Sequence, residues 1–195
     1  MKRLAFAVPL AFLLGACAVL VPRSAGPREL FWERLNTLCG RAYEGRVVTT
    51  DPDDSEMAGS RLVMHVASCT PNAVRIAFHV GADRSRTWVI SRTATGLRLK
   101  HVHRHSDGAE DVRSQYGGDT MTSGGARRQE FPADAFSRAL FIRENIPASA
   151  ANVWAVEIAP GEMFAYELRR SGRFFRVEFN LGRPVTAPPP AWGAR

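Results

Sequence analysis

Val74-Arg75-Ile76-Ala77-Phe78-His79-Val80 and Leu97-Arg98-Leu99-Lys100-His101-Val102-His103-Arg104-His105 decide the fold class. In the first stretch Val74, Ile76, Phe78 and Val80 fall on one side of a period-two pattern, with Arg75 and His79 on the other. In the second, Leu97 and Leu99 lead into His101, His103 and His105 on one side, while Arg98, Lys100, Val102 and Arg104 take the other. Successive side chains of a strand point to opposite faces, so this alternation predicts half-buried strands. The pattern continues outward. Residues 61–69 alternate through Leu62, Met64 and Val66, and residues 87–92 lie between the two quoted stretches. Residues 111–116 read as a strand returning after the turn Ser106-Asp107-Gly108-Ala109. Residues 152–158, 162–169 and 173–181 are split by Pro160-Gly161 and Ser171-Gly172, which are hairpin signals.

Ahead of these strands, Leu30, Phe31, Leu35, Leu38 and Ala42 recur near helical spacing and predict a helix over residues 28–43, with Gly40 and Gly45 weakening its end. Residues 117–128 are glycine-rich and read as a loop, and residues 133–145 hold a short helix through Phe136, Leu140 and Phe141. The expected fold is mostly β: an antiparallel, barrel-like meander of about eight to ten strands with an N-terminal helix. Closure of the sheet would remove its exposed edges. A helix leading into Gly45-Arg46-Val47-Val48 and a meander is similar in pattern to a lipocalin-type barrel. Residues 28–183 form one domain, and residues 184–195, with Pro188-Pro189-Pro190, read as an extended Pro-rich tail.

The start of the chain is a different kind of signal. Lys2 and Arg3 precede an apolar run over residues 4–14, broken only by Pro9 and followed by Leu14-Gly15-Ala16-Cys17. This order predicts a secretory signal peptide over residues 1–16; the run is too short to span a bilayer. Leu14-Gly15-Ala16-Cys17 resembles the lipobox of bacterial lipoproteins. The resemblance implies cleavage before Cys17, acylation of its thiol and a lipid anchor in the membrane. Residues 17–27, with Pro22, Ser24, Gly26 and Pro27, then form a tether. The implied location is the periplasmic face of the cell envelope. Ala18, where the sorting rule of enteric bacteria would be broken by aspartate, favours the outer membrane. Residues 31–192 also resemble an uncharacterised family of bacterial exported proteins. The segments that carry this are the histidine strand quoted above, Tyr116-Gly117-Gly118-Asp119-Thr120, Gln129-Glu130-Phe131-Pro132-Ala133-Asp134 and Asn152-Val153-Trp154-Ala155. That resemblance implies export and brings no activity.

The formal net charge is +7, and the excess is arginine, since Lys2 and Lys100 are the only lysines. The arginines are dispersed rather than clustered, and no basic-aromatic motif appears, so no nucleic-acid partner is expected. With Cys17 lipidated, Cys39 and Cys69 remain, and export predicts a disulfide between them. Closing a loop of about 30 residues would stabilise the fold by roughly 3 kcal/mol.

Chemistry-bearing residues concentrate at one strand end. His101, His103 and His105 share a face, and such imidazoles can hold zinc or copper, with Asp107 and Asp111 completing a ligand set and Glu110 beside them. Other readings of the same residues are a solvated hairpin tip and a histidine-acid cluster that titrates near neutrality. Arg84 and Arg86, in the expected hairpin loop Asp83-Arg84-Ser85-Arg86, suit a carboxylate or phosphate. GxxxxGK[ST], GxSxG and HExxH are all absent, and no catalytic residue is nominated. Trp88, Trp154, Phe164, Tyr166, Phe174, Phe175 and Phe179 are strand aromatics that either fill a core or line a cavity. The expected function is a lipid-anchored envelope protein that binds a small ligand or envelope component at a mouth lined by the three histidines. The alternatives are a metal-dependent hydrolase that uses them as ligands, and an assembly lipoprotein that docks on an envelope complex.

Overall fold

A computed structural model describes residues 25–194. The signal peptide, Cys17 and most of the tether lie outside the described residues. Ten strands follow one another as β1 (Ala42–Val47), β2 (Leu62–Cys69), β3 (Ala73–Val80), β4 (Asp83–Arg92), β5 (Leu97–His103), β6 (Tyr116–Asp119), β7 (Arg128–Pro132), β8 (Val153–Ala159), β9 (Met163–Arg170) and β10 (Arg173–Val185). The α-helices among the described residues are α1 (Pro27–Asn36), α2 (Ser55–Ala58) and α3 (Ala135–Arg143).

The strands form a single antiparallel sheet in the order β6-β5-β4-β3-β2-β1-β10-β9-β8-β7, curled into a nearly closed barrel. Two meanders, β1 to β6 and β7 to β10, are joined where β1 pairs with β10, Val47 opposite Val177 and Ala42 opposite Val185. The β8–β9 hairpin turns at Pro160-Gly161, with Gly161 at φ 75°. The alternation read from the sequence becomes the pleat. Val74, Ile76, Leu97 and Leu99 are at most 1% exposed and share one core with Met64, Ile90, Trp154, Phe164 and Phe179. Each such side chain contributes roughly 1.5–3 kcal/mol on leaving water.

The edge strands β6 and β7 meet without forming a ladder of their own. The Gly117 carbonyl accepts the Asp134 N–H at 2.9 Å, and the Gly117 N–H donates to Ser137 Oγ at 2.7 Å. The first turn of α3 therefore satisfies the free edge of β6, and Asp134 caps that helix by accepting from the Ser137 N–H at 2.8 Å. Lys100 Nζ, 2.6 Å from Asp134 Oδ2, ties β5 to the same point.

Several element boundaries differ from the sequence reading. The first helix ends at Asn36, a turn with Gly40 at φ 77° follows, and Ala42 and Tyr43 belong to β1. Residues 83–86 are the start of β4 rather than a loop, because the chain already reverses at Gly81, φ 57°. The returning strand is Tyr116–Asp119 rather than residues 111–116, so β6 takes the first part of the expected glycine loop. β7 was hidden in a short polar run, since only Gln129 and Phe131 face inward, both fully buried. β10 continues to Val185, into the expected tail.

α1 packs Phe31, Trp32 and Leu35 into the core at one end of the barrel. The Cys39–Cys69 disulfide joins the segment after α1 to the end of β2, as expected. On the outer face of β7 to β10, Glu167 is only 4% exposed. It accepts from Arg128 at 2.6 Å and from Arg176. Burial pushes its pKa up, and the hydrogen bonds from Arg128 and Arg176 overcome this and hold the carboxyl below its ordinary value.

Candidate functional site

The end of the barrel opposite α1 is where β5 stops, β6 starts, β9 stops and β10 starts. The strand pattern that buries Leu97 and Leu99 also turns His101 inward, where it is 2% exposed. Its ring stacks on Tyr116, centroids 4.4 Å apart, and lies 5.0 Å from the Trp154 ring. Nδ1 lies 3.1 Å from the Tyr116 carbonyl, and Nε2 lies 2.8 Å from the Tyr166 hydroxyl. A carbonyl can only accept, so in the neutral ring Nδ1 carries the hydrogen and Nε2 accepts from Tyr166. Burial among these rings drives the pKa of His101 down to about 3. The same burial pushes the Tyr116 and Tyr166 hydroxyls upward, so both stay protonated at neutral pH.

One pleat further out, His103 is half-buried, with Nε2 3.0 Å from the Tyr116 hydroxyl. Burial first, and the nearby Arg86 second, lower its pKa to about 4. His105 lies beyond β5 and is exposed, 3.4 Å from Asp111. The three histidines therefore occupy three different environments.

Two adjoining hollows open at this end. The inner one, about 180 Å³, is lined by Trp88, His101, Tyr166, Phe175, Met57 and Arg86 among others. The outer one, about 440 Å³, is lined by Phe141, Ile146, Asn152, Asp111, Arg113 and Arg170 among others. His103, Tyr116, Leu168 and Arg173 line both. The inner wall is an aromatic stack: Trp88 lies 4.4 Å from Tyr166 and 4.8 Å from Phe78. The rim carries several arginines and aspartates. Arg173 forks onto Asp54 and reaches Asp51 at 3.0 Å, and Arg86 pairs with Asp83. Arg170 donates to Asn152 Oδ1 at 3.0 Å.

The structure brings His101, His103, Arg86 and Asp111 to this mouth. It turns Arg84 elsewhere: Arg84 Nη1 donates to the Pro190 carbonyl at 3.1 Å, and its own carbonyl accepts the Trp192 N–H at 3.0 Å. Arg84 thereby fastens the Pro-rich tail. Asp107 caps its turn through the Ala109 N–H at 2.8 Å, and Glu110 holds Ser114 Oγ at 2.8 Å. Among the described residues, no group of three or more His, Cys, Asp or Glu side chains is gathered around a point where a metal ion would fit. A metal on His101 would also have to displace the Tyr166 hydroxyl or the Tyr116 carbonyl.

Sequence reasoning read Tyr116-Gly117-Gly118-Asp119-Thr120 as a tight loop shaping a mouth, which puts Tyr116 at the site, and missed Arg113, Arg170 and Arg173 as parts of it. Tyr166, in the apolar file Phe164, Tyr166, Leu168, was named as a strand aromatic, and its buried hydroxyl finds its partner in His101. Arg173 had no sign in the sequence, since Asp54 lies 119 residues away. No family model, curated protein or solved structure matches this chain.

Proposed function

We propose that this is a lipid-anchored cell-envelope protein that binds a small ligand or an envelope component in the open mouth of its barrel. The observation that carries this reading is the pair of adjoining hollows at one end of the barrel, the inner one walled by aromatic rings, with His103, Tyr116, Leu168 and Arg173 shared by the two. Apolar walls with a few fixed polar groups are the usual make-up of a small-molecule site. The polar groups here are pre-set. His101 is locked between Tyr116 and Tyr166, and Arg173 is locked by Asp51 and Asp54. Little ordering is left for a ligand to impose. Binding is favoured over catalysis because both His101 nitrogens are occupied and neither His101 nor His103 titrates near neutral pH. The Leu14-Gly15-Ala16-Cys17 motif supports the anchor. The Cys39–Cys69 bond supports an oxidising compartment.

The test is the fluorescence of N-phenyl-1-naphthylamine, a neutral probe that brightens in apolar sites. The wild type is expected to enhance it saturably at micromolar concentrations. Leu168→Trp, at the junction of the two hollows, should reduce the enhancement at least 5-fold while leaving circular dichroism and the thermal midpoint close to wild type. Equal enhancement by a folded Leu168→Trp protein would place the probe elsewhere and overturn the reading.

A further inference from the structure

Resting on the reading of the mouth as a binding site, we propose that its ligand is an apolar monocarboxylate, with Arg113 and Arg170 holding the carboxylate and the aromatic hollow taking the hydrocarbon. Charge accounting at the rim separates two kinds of arginine. Arg173 and Arg86 already hold acids of this chain, Asp54 with Asp51 and Asp83 respectively, so their charge is answered within the protein. Arg170 holds only the neutral amide oxygen of Asn152. The Arg113 side chain has no hydrogen-bond or ion-pair partner among the described residues; its backbone N–H alone is taken, by Asp111 Oδ1 at 2.7 Å.

Asp111 is the one remaining acid of the outer hollow, and it sits 3.4 Å from His105. Summed over the rim, the four arginines balance Asp51, Asp54, Asp83 and Asp111, but those acids pair with Arg173, Arg86 and His105, so Arg113 and Arg170 face the outer hollow with no acid partner of their own. One carboxylate would give these two guanidiniums the acid partner they lack, and the planar guanidinium fork suits a carboxylate's two oxygens. His103 and Tyr116 face the same space and are uncharged at neutral pH, so they add hydrogen-bonding groups without changing that balance. Behind them Leu168, Trp88 and Phe175 line the inner hollow and offer the apolar tail a dry wall. Head and tail sites are thus contiguous, and neither alone accounts for both the free arginines and the aromatic hollow.

The experiment is displacement of N-phenyl-1-naphthylamine by dodecanoate, dodecan-1-ol and dodecyl phosphate below their micellar concentrations, in wild type and in the double variant Arg113→Gln/Arg170→Gln. Wild type should bind dodecanoate at least 10-fold more tightly than dodecan-1-ol. The double variant should lose that preference through weaker dodecanoate binding, with its affinity for dodecan-1-ol and for the probe unchanged. That unchanged affinity also reports an intact fold. Equal affinity for acid and alcohol in the wild type overturns the carboxylate assignment while the binding reading stands. A 10-fold preference for dodecyl phosphate over dodecanoate likewise overturns it in favour of a phosphate head. Failure of the neutral probe to bind the wild type overturns the binding reading itself.

Discussion

His101 shows how a single position acquires two roles from one pleat. Its place after Leu97 and Leu99 sends it into the core, and there Tyr116 and Tyr166 satisfy both ring nitrogens. The cost of a buried charge then keeps it neutral far below the pH at which a free histidine protonates. The sign of the pH effect follows. Below pH 6.5 the unfolded chain binds protons at His101 and His103 and the folded chain does not, so stability falls as pH falls from 6.5 toward about 4 and then 3. Urea unfolding of the wild type should therefore lose on the order of 2–4 kcal/mol between pH 7 and pH 5. Most carboxylates stay ionised over that range, so acid-weakened ion pairs contribute little to it. His101→Gln should start less stable and lose roughly 1–2 kcal/mol less over that range, the lowered pKa values of His103, His79 and His65 supplying what remains. The wild-type pH slope in His101→Gln would remove His101 from this account.

At the scale of elements, the seam between β6 and α3 decides whether the sheet closes. A Cβ on Gly118 would stand 1.7 Å from the Pro132 carbonyl oxygen, and one on Gly117, φ 151°, would stand 1.9 Å from the Leu99 carbonyl. These obstacles are backbone atoms that cannot swing aside. Gly118→Ala should cost roughly 3 kcal/mol by chemical denaturation, through forced separation of the two edges. Gly59→Ala is the control. Its φ is −82° and its Cβ would meet the Ser55 and Glu56 carbonyl oxygens at 3.4 and 3.8 Å, ordinary contact distances, so its effect should stay within about 0.5 kcal/mol. Equal effects of the two substitutions would show that close approach at the seam does not matter. The Tyr116-Gly117-Gly118 run was visible in the sequence as glycine-rich, but its reason was not, because Pro132 and Asp134 come from beyond the following loop.

For the whole molecule, the disulfide and α1 hold the filled end while the opposite end stays open. The bond spans 30 residues of sequence, and the chain-entropy argument assigns it roughly 3 kcal/mol. Thermal unfolding under reducing conditions should shift down by about 10 °C, with probe binding at the distant mouth retained at temperatures where the fold persists. A shift under about 2 °C would mean that the packing of Phe31, Trp32 and Leu35 fastens that end without help from the bond.

By itself, the sequence determined the inward files of β3 and β5, the antiparallel hairpins, the cysteine pair and the inward turn of the histidine strand. All of these follow from local alternation, turn chemistry or parity, and so survive without knowledge of distant neighbours. Phe174 and Phe136, read as core, stand exposed, and His79, read on the opposite face, is buried. Only the tertiary structure decided that His101, His103 and His105 part company, that Arg84 binds the tail, and that Arg113 and Arg170 meet at one opening. Those outcomes depend on partners such as Tyr166, Pro190 and Asn152, which β-pairing brings close from far along the chain, and no period in the local sequence encodes such an approach.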